Sequence, residues 1–155
     1  MYKHIRERRN KQLIQDVGEI KNMSIEEKIA QPVLVTGAIG FIGRRVVHKL
    51  LQEKVAVKAL VLPNDAMPAE WADEVAITRG SISNYHAVEK AVDGAKTIIH
   101  LAAVVSEWGD EKKYWEFTVE GSRFVFEPAV KNKARVALAS SEETDNDANK
   151  NSAWI

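Results

Sequence analysis

The stretch 34-LVTGAIGFIG-43 places Gly37, Gly40 and Gly43 three residues apart, directly behind a β-branched apolar run. At the end of a strand, the first such glycine permits a sharp turn. The second lets a diphosphate approach the backbone without meeting a Cβ, and the third lets the following helix pack closely. A helix starting there offers unpaired N–H groups and the positive end of its dipole to an anion. The pattern carries weight only between a strand and a helix that leads to a second strand. A tight strand-to-helix turn with no ligand is the competing reading, so the surrounding sequence decides.

Outward from the loop, short strand-like and helix-like stretches alternate. Strands are predicted at 33–37, 55–62, 74–78, 96–104 and 134–140. Helices are predicted at 44–53, where Val46, Val47, Leu50 and Leu51 share a face, and at 85–94, closed by Gly94; residues 114–131 are expected to be helical in part. Strands joined through helices require crossover connections, and so a parallel sheet covered on both faces. The two most hydrophobic strands are continuous apolar runs, as doubly buried strands should be. The fold class expected from this pattern is α/β, a doubly wound parallel sheet of about five strands.

Residues 1–31 have a different texture. They are polar and helix-permissive with a ragged apolar face, and Ser24 and Glu27 fit a capping box. They are expected to form a partly helical extension. After Ser141 the acidic, aperiodic run of residues 142–155 is expected to be a disordered tail. The domain proper is then 32–141.

Composition narrows the function. The chain of 155 residues is 45% apolar and 28% charged, suited to one globular domain that buries roughly two-thirds of its unfolded surface. Lys plus Arg and Asp plus Glu are 22 each, which gives no net field for nucleic acid or an anionic membrane. No cysteine is present, which excludes disulfides, thiolate metal sites and a cysteine nucleophile. His4, His48, His86 and His100 lack metal-ligand spacing, so no metal is expected. His100, at the end of an apolar strand, reads as a packed core histidine. No run of about 18 apolar residues and no secretory leader is found, and a cytoplasmic protein is the default.

The run 33-VLVTGAIGFIGRRVVHKLL-51 resembles the opening of extended short-chain dehydrogenases/reductases, the NAD-dependent epimerase/dehydratase superfamily, whose loop reads TGxxGxxG. Four further blocks follow in the family's order: RGSISN (79–84), AVDGAKTIIHLAA (91–103), TVEGSRFVFEPAV (118–130) and VALASS (136–141). The stretch from His100 to Trp115 resembles the 3β-hydroxysteroid dehydrogenase-like branch. The resemblance implies NAD or NADP as cofactor and an oxidoreductase or epimerase acting on a hydroxyl-bearing carbon. It implies that Gly37, Gly40 and Gly43 line the pyrophosphate, with the amides of Phe41 and Ile42 facing it. Ser81 and Ile82 would lie by the adenine, and Leu101, Ala102 and Ala103 would flank the cofactor. Ser141, or its neighbour Ser140, would fall at the catalytic Ser/Thr.

Departures from the family pattern matter as much. The acidic residue that accepts hydrogen bonds from an NAD ribose falls near Val61, and a phosphate-reading arginine near Leu62; neither side chain does either job. Asp65 is close, but after Pro63 and Asn64 it reads as a turn residue. Ser81 replaces a common Asp, Thr118 a common Asn, and Ile39 a small or hydroxyl residue. At about 0.5–1.5 kcal/mol per lost hydrogen bond, these changes weaken binding by one to three decades. The family's catalytic Tyr-x-x-x-Lys pair is absent: four residues after Tyr2, Tyr85 and Tyr114 stand Arg6, Glu89 and Thr118. Trp108 and Trp115 could form a lid over a ligand or simply cap a core.

The expectation is a Rossmann-like NAD(P)-binding domain of about five parallel strands in the order 3-2-1-4-5, truncated and not catalytic alone. A non-enzymatic dinucleotide-sensing or partner-binding module is the alternative, and a degenerate fragment the third. Truncation would turn the fifth strand into an edge, so self-association through residues 134–139 is expected.

Overall fold

In the computed structural model, residues 28–103 and 115–139 are described. The expectations placed on the N-terminal extension and its capping box, on Trp108, on Ser140 and Ser141, and on the tail lie outside them. The elements are β1 (Val33–Thr36), α1 (Phe41–Gln52), β2 (Val57–Val61), a 3-10 turn (Ala69–Trp71) and β3 (Val75–Arg79). They continue with α2 (Tyr85–Val92), β4 (Thr97–His100), a π-helical stretch (Trp115–Glu120), α3 (Gly121–Lys131) and β5 (Arg135–Leu138).

All strand pairs are parallel, as the crossovers require, and the sheet order is β3-β2-β1-β4-β5, the one expected of a Rossmann-like domain. Strand alternation sends successive side chains to opposite faces. Val33 and Val35 of β1 join Val57, Ala59 and Val61 of β2 beneath Val47 and Leu50 of α1. Leu34, Leu60 and Ile98 pack on the other face against Val88 and Val92 of α2 and Val125 and Ala129 of α3. The sheet is thus covered on both sides, which is why β1 is buried at every position.

α1 begins at Phe41, three residues earlier than periodicity placed it. Gly43, a poor helix former, lies inside its first turn because nothing larger fits there. A Cβ on Gly43 would stand 2.1 Å from the Gly37 carbonyl oxygen and 2.8 Å from Ala38 Cα. α2 starts where Asn84 accepts the Ala87 N–H at 3.2 Å, an N-cap, and Gly94 follows its end at φ +71°. No helix among the described residues is long and apolar enough to cross a membrane.

Candidate functional site

The strand order reverses at β1, with β2 on one side and β4 on the other. Loops leaving the carboxyl ends of these strands diverge there and leave a crevice, the position at which open α/β sheets hold ligands. A cleft of about 520 Å³ occupies it. Its wall at the first crossover is Gly37, Ala38, Ile39 and Gly40. The β2 and β3 side contributes Leu60 to Leu62, Asp65, and Gly80 to Ile82; the β4 side contributes Leu101 to Ala103, with Phe117 of the π-helical stretch.

The three loop glycines divide the work. Gly37 adopts φ +66°, and a Cβ there would meet the Ala102 amide nitrogen at 2.8 Å, so it makes the turn and lets the β4 end approach. Gly43 seats α1 against the loop, as above, and is not part of the cleft wall. A Cβ on Gly40 would meet only the Gly37 carbonyl oxygen, at 3.2 Å; its other side is open to the cleft. Gly40 is also the N-cap of α1, and the first helical bond runs from Arg44 N–H to Gly40 O at 3.0 Å. The amides of Phe41, Ile42 and Gly43 precede it and have no intrahelical partner. The side chains of Phe41 and Ile42 point elsewhere: they are 77% and 57% exposed, and Arg45 stacks its guanidinium over the Phe41 ring at 3.8 Å.

Seven of the sequence-predicted residues therefore share one cleft: Gly37, Gly40, Ser81, Ile82, Leu101, Ala102 and Ala103. Ser81 Oγ is engaged in its own turn, accepting the Ser83 N–H at 3.1 Å and pairing with Ser83 Oγ at 2.9 Å. Leu60 and Phe117 were not foreseen; Leu60 reads in sequence as core, and no spacing rule links Phe117 to the glycine loop. Asp65 is indeed a turn residue, its carboxylate accepting the Leu62 N–H at 3.0 Å, and it also lines the cleft.

Behind the β4 wall lies a buried relay. Ser122 Oγ donates to the Thr118 carbonyl, so it accepts from His100 Nε2 at 3.0 Å. The Nδ1 atom is then the acceptor for the Thr36 hydroxyl at 2.6 Å, and Thr36 Oγ1 accepts the N–H groups of Leu101 and Ala102, each at 3.3 Å. The wall residues Leu101 and Ala102 are thereby tied through β1 and β4 to α3. His100 is 1% exposed, and burial lowers its pKa to about 4. It is the packed neutral histidine the sequence suggested.

A pH effect follows. The folded value lies below the usual one near 6.5, so the unfolded chain takes up a proton between pH 6.5 and about 4 that the folded chain refuses. Stability from this group is complete above pH 6.5 and falls with acidification at about 1.4 kcal/mol per unit. Urea unfolding at pH 7 and pH 5 checks this: His100→Gln is expected to be less stable than the wild type at pH 7, with a gap about 2 kcal/mol smaller at pH 5.

Among the described residues no group of three or more His, Asp or Glu side chains is placed to hold a metal ion. The model of the NAD dependent epimerase/dehydratase family matches residues 33–152. Human 3 beta-hydroxysteroid dehydrogenase type 7 is 32% identical over 117 residues, covering 70% of this chain and 31% of that protein. The ceramide reductase of Caulobacter vibrioides is 32% identical over 110 residues, covering 70% of this chain and 34% of that one. Among solved structures, an Agrobacterium tumefaciens uronate dehydrogenase mutant complexed with NAD superposes with a TM-score of 0.62 at 25% identity. That match covers 70% of this chain and 40% of the enzyme. The chain spans about a third of the length of these curated relatives.

Proposed function

The chain belongs to the NAD dependent epimerase/dehydratase family, and we propose on that premise that its cleft is the seat of a nicotinamide dinucleotide. The observation that carries this reading is Gly40. It is the loop glycine whose missing side chain no neighbouring element occupies, and it lies at a helix start whose free amides are suited to a diphosphate. In this reading Gly37 and Gly40 cradle the pyrophosphate with the amides of Phe41 and Ile42, while Gly43 keeps those amides in place from behind. Ser81 and Ile82 border the adenine, and Leu101 to Ala103 flank the rest of the cofactor. Residues 32–141 form the binding domain, in a cytoplasmic setting.

The bound dinucleotide would supply a hydride acceptor or donor for a hydroxyl-bearing carbon. The chain's own residues bind and orient it and keep water from the apolar walls. No tyrosine in this chain is followed four residues later by lysine, which leaves Ser141, at the family's catalytic Ser/Thr position, without its acid/base partners, so binding without turnover is the expected behaviour. Titration with NAD, NADH, NADP and NADPH, followed by fluorescence of the four tryptophans, tests the proposal. A saturable change below millimolar concentration for at least one dinucleotide is expected. A flat response to all of them overturns the reading.

A second reading, a partner-binding module, is favoured by one observation. Among the described residues β5 pairs only with β4, and its own Leu138 and Val130 of α3 are 54% and 77% exposed. An open strand edge with apolar neighbours is a template for another chain. Association of two copies through residues 134–139 is expected, seen in sedimentation as dimer rising with concentration; a monomer throughout the range contradicts it.

A further inference from the structure

We propose that Asp65 supplies, from beyond the turn, the carboxylate that the end of β2 lacks, and so selects a dinucleotide with a free ribose 2′-hydroxyl over one with a 2′-phosphate. This rests on the dinucleotide reading of the cleft. β2 ends at Val61, and the next residue is Leu62, so no acidic or basic side chain stands at the strand end itself. The chain then folds back. Asp65 N–H donates to the Leu62 carbonyl at 3.2 Å, and the Leu62 N–H donates to Asp65 Oδ2 at 3.0 Å. This pair of bonds seats the carboxylate against the main chain of the residue just past β2.

Charge decides the preference. Among the described residues that line the cleft, Asp65 is the one charged side chain. A carboxylate has about four acceptor sites, and the Leu62 amide takes one. The others can receive a ribose hydroxyl, whereas a 2′-phosphate offers them negative charge and few protons. The nearest rival is Arg79, a cation that could read a phosphate. Its Nη1 is turned to the carbonyls of Pro63 at 2.9 Å and Asp65 at 3.2 Å, so it braces the turn, and it is not part of the cleft wall.

The test measures NADH and NADPH affinities of the full chain by fluorescence titration, with the thermal midpoint as a control. NADH is expected to bind at least about tenfold more tightly than NADPH. Asp65→Asn keeps an oxygen for the Leu62 N–H while removing the charge. It is expected to narrow the gap to within about threefold, with an unchanged midpoint. NADH lacking the 2′-hydroxyl of its adenosine ribose gives a measurement independent of any variant, and it should bind the unaltered chain about tenfold more weakly than NADH. Equal affinities of the unaltered chain for NADH and NADPH overturn the role of Asp65 and leave the dinucleotide reading standing. So does an Asp65→Asn variant that loses both ligands equally along with stability. Saturable binding of neither overturns both.

Discussion

Gly43→Ala is expected to lower the thermal midpoint of the chain by about 10 °C or more. The added Cβ would stand 2.1 Å from the Gly37 carbonyl oxygen and 2.8 Å from both Ala38 Cα and the Ala38 carbonyl oxygen. All three are main-chain atoms, so no side chain can swing aside to relieve the contact. Either α1 lifts from the sheet, uncovering Val47 and Leu50, or the loop moves and takes the Gly37 turn with it. Overpacking of a core typically costs about 1–3 kcal/mol, and a clash between backbones belongs at the upper end. In a domain of this size each kcal/mol shifts the midpoint by roughly 4 °C. Differential scanning calorimetry reads the result directly. A fall below about 2 °C would mean that the helix start is not seated on the loop as described.

Gly40→Val should do the reverse: leave the midpoint within about 2 °C and weaken dinucleotide binding at least 100-fold. Gly40 has φ −64° and ψ 171°, which any residue adopts, so the substitution brings no backbone strain. Its Cβ needs only a few tenths of an ångström of adjustment at the Gly37 carbonyl oxygen. The two methyl groups then fill the space before the helix start. Hydrogen bonds to charged groups contribute about 1.5–3 kcal/mol each, and losing one or two to a displaced diphosphate accounts for a hundredfold change. Calorimetric titration beside the unaltered chain makes the comparison. An unchanged affinity would place the ligand elsewhere. Together the two variants separate a glycine required by the fold from one required by a ligand, two residues of identical chemistry in one motif.

Much of the architecture was readable in advance because the strands are continuous apolar runs joined by amphipathic stretches, a pattern that permits little besides a parallel sheet. Both covered faces follow from it, whereas the strand order was legible only through the resemblance carried by the glycine loop and the blocks after it. The start of α1 was misplaced because helix propensity argues against Gly43, while the tertiary contact that demands it lies in the loop behind. The glycines themselves were plain in the sequence, but their separate tasks depend on what each absent Cβ would touch. His100 was correctly read as a packed histidine. Its partners Thr36 and Ser122 are 64 and 22 residues away and could be found only after folding brought them together. Asp65 was legible as a turn former. That the same turn brings Asp65 back to the edge of the cleft is a matter of three-dimensional path, to which Arg79 contributes from β3.

The first crossover addresses the cleft chiefly with peptide groups, so what it recognises is written in backbone shape. Around such a cradle an apolar wall residue such as Ile39 can be exchanged over evolutionary time with gradual loss or gain of affinity. The hinge positions have no such latitude, since any replacement at them adds at least one carbon. Mutational vulnerability in this loop is therefore concentrated at three glycine codons and at the fully buried Ala38 between the first two.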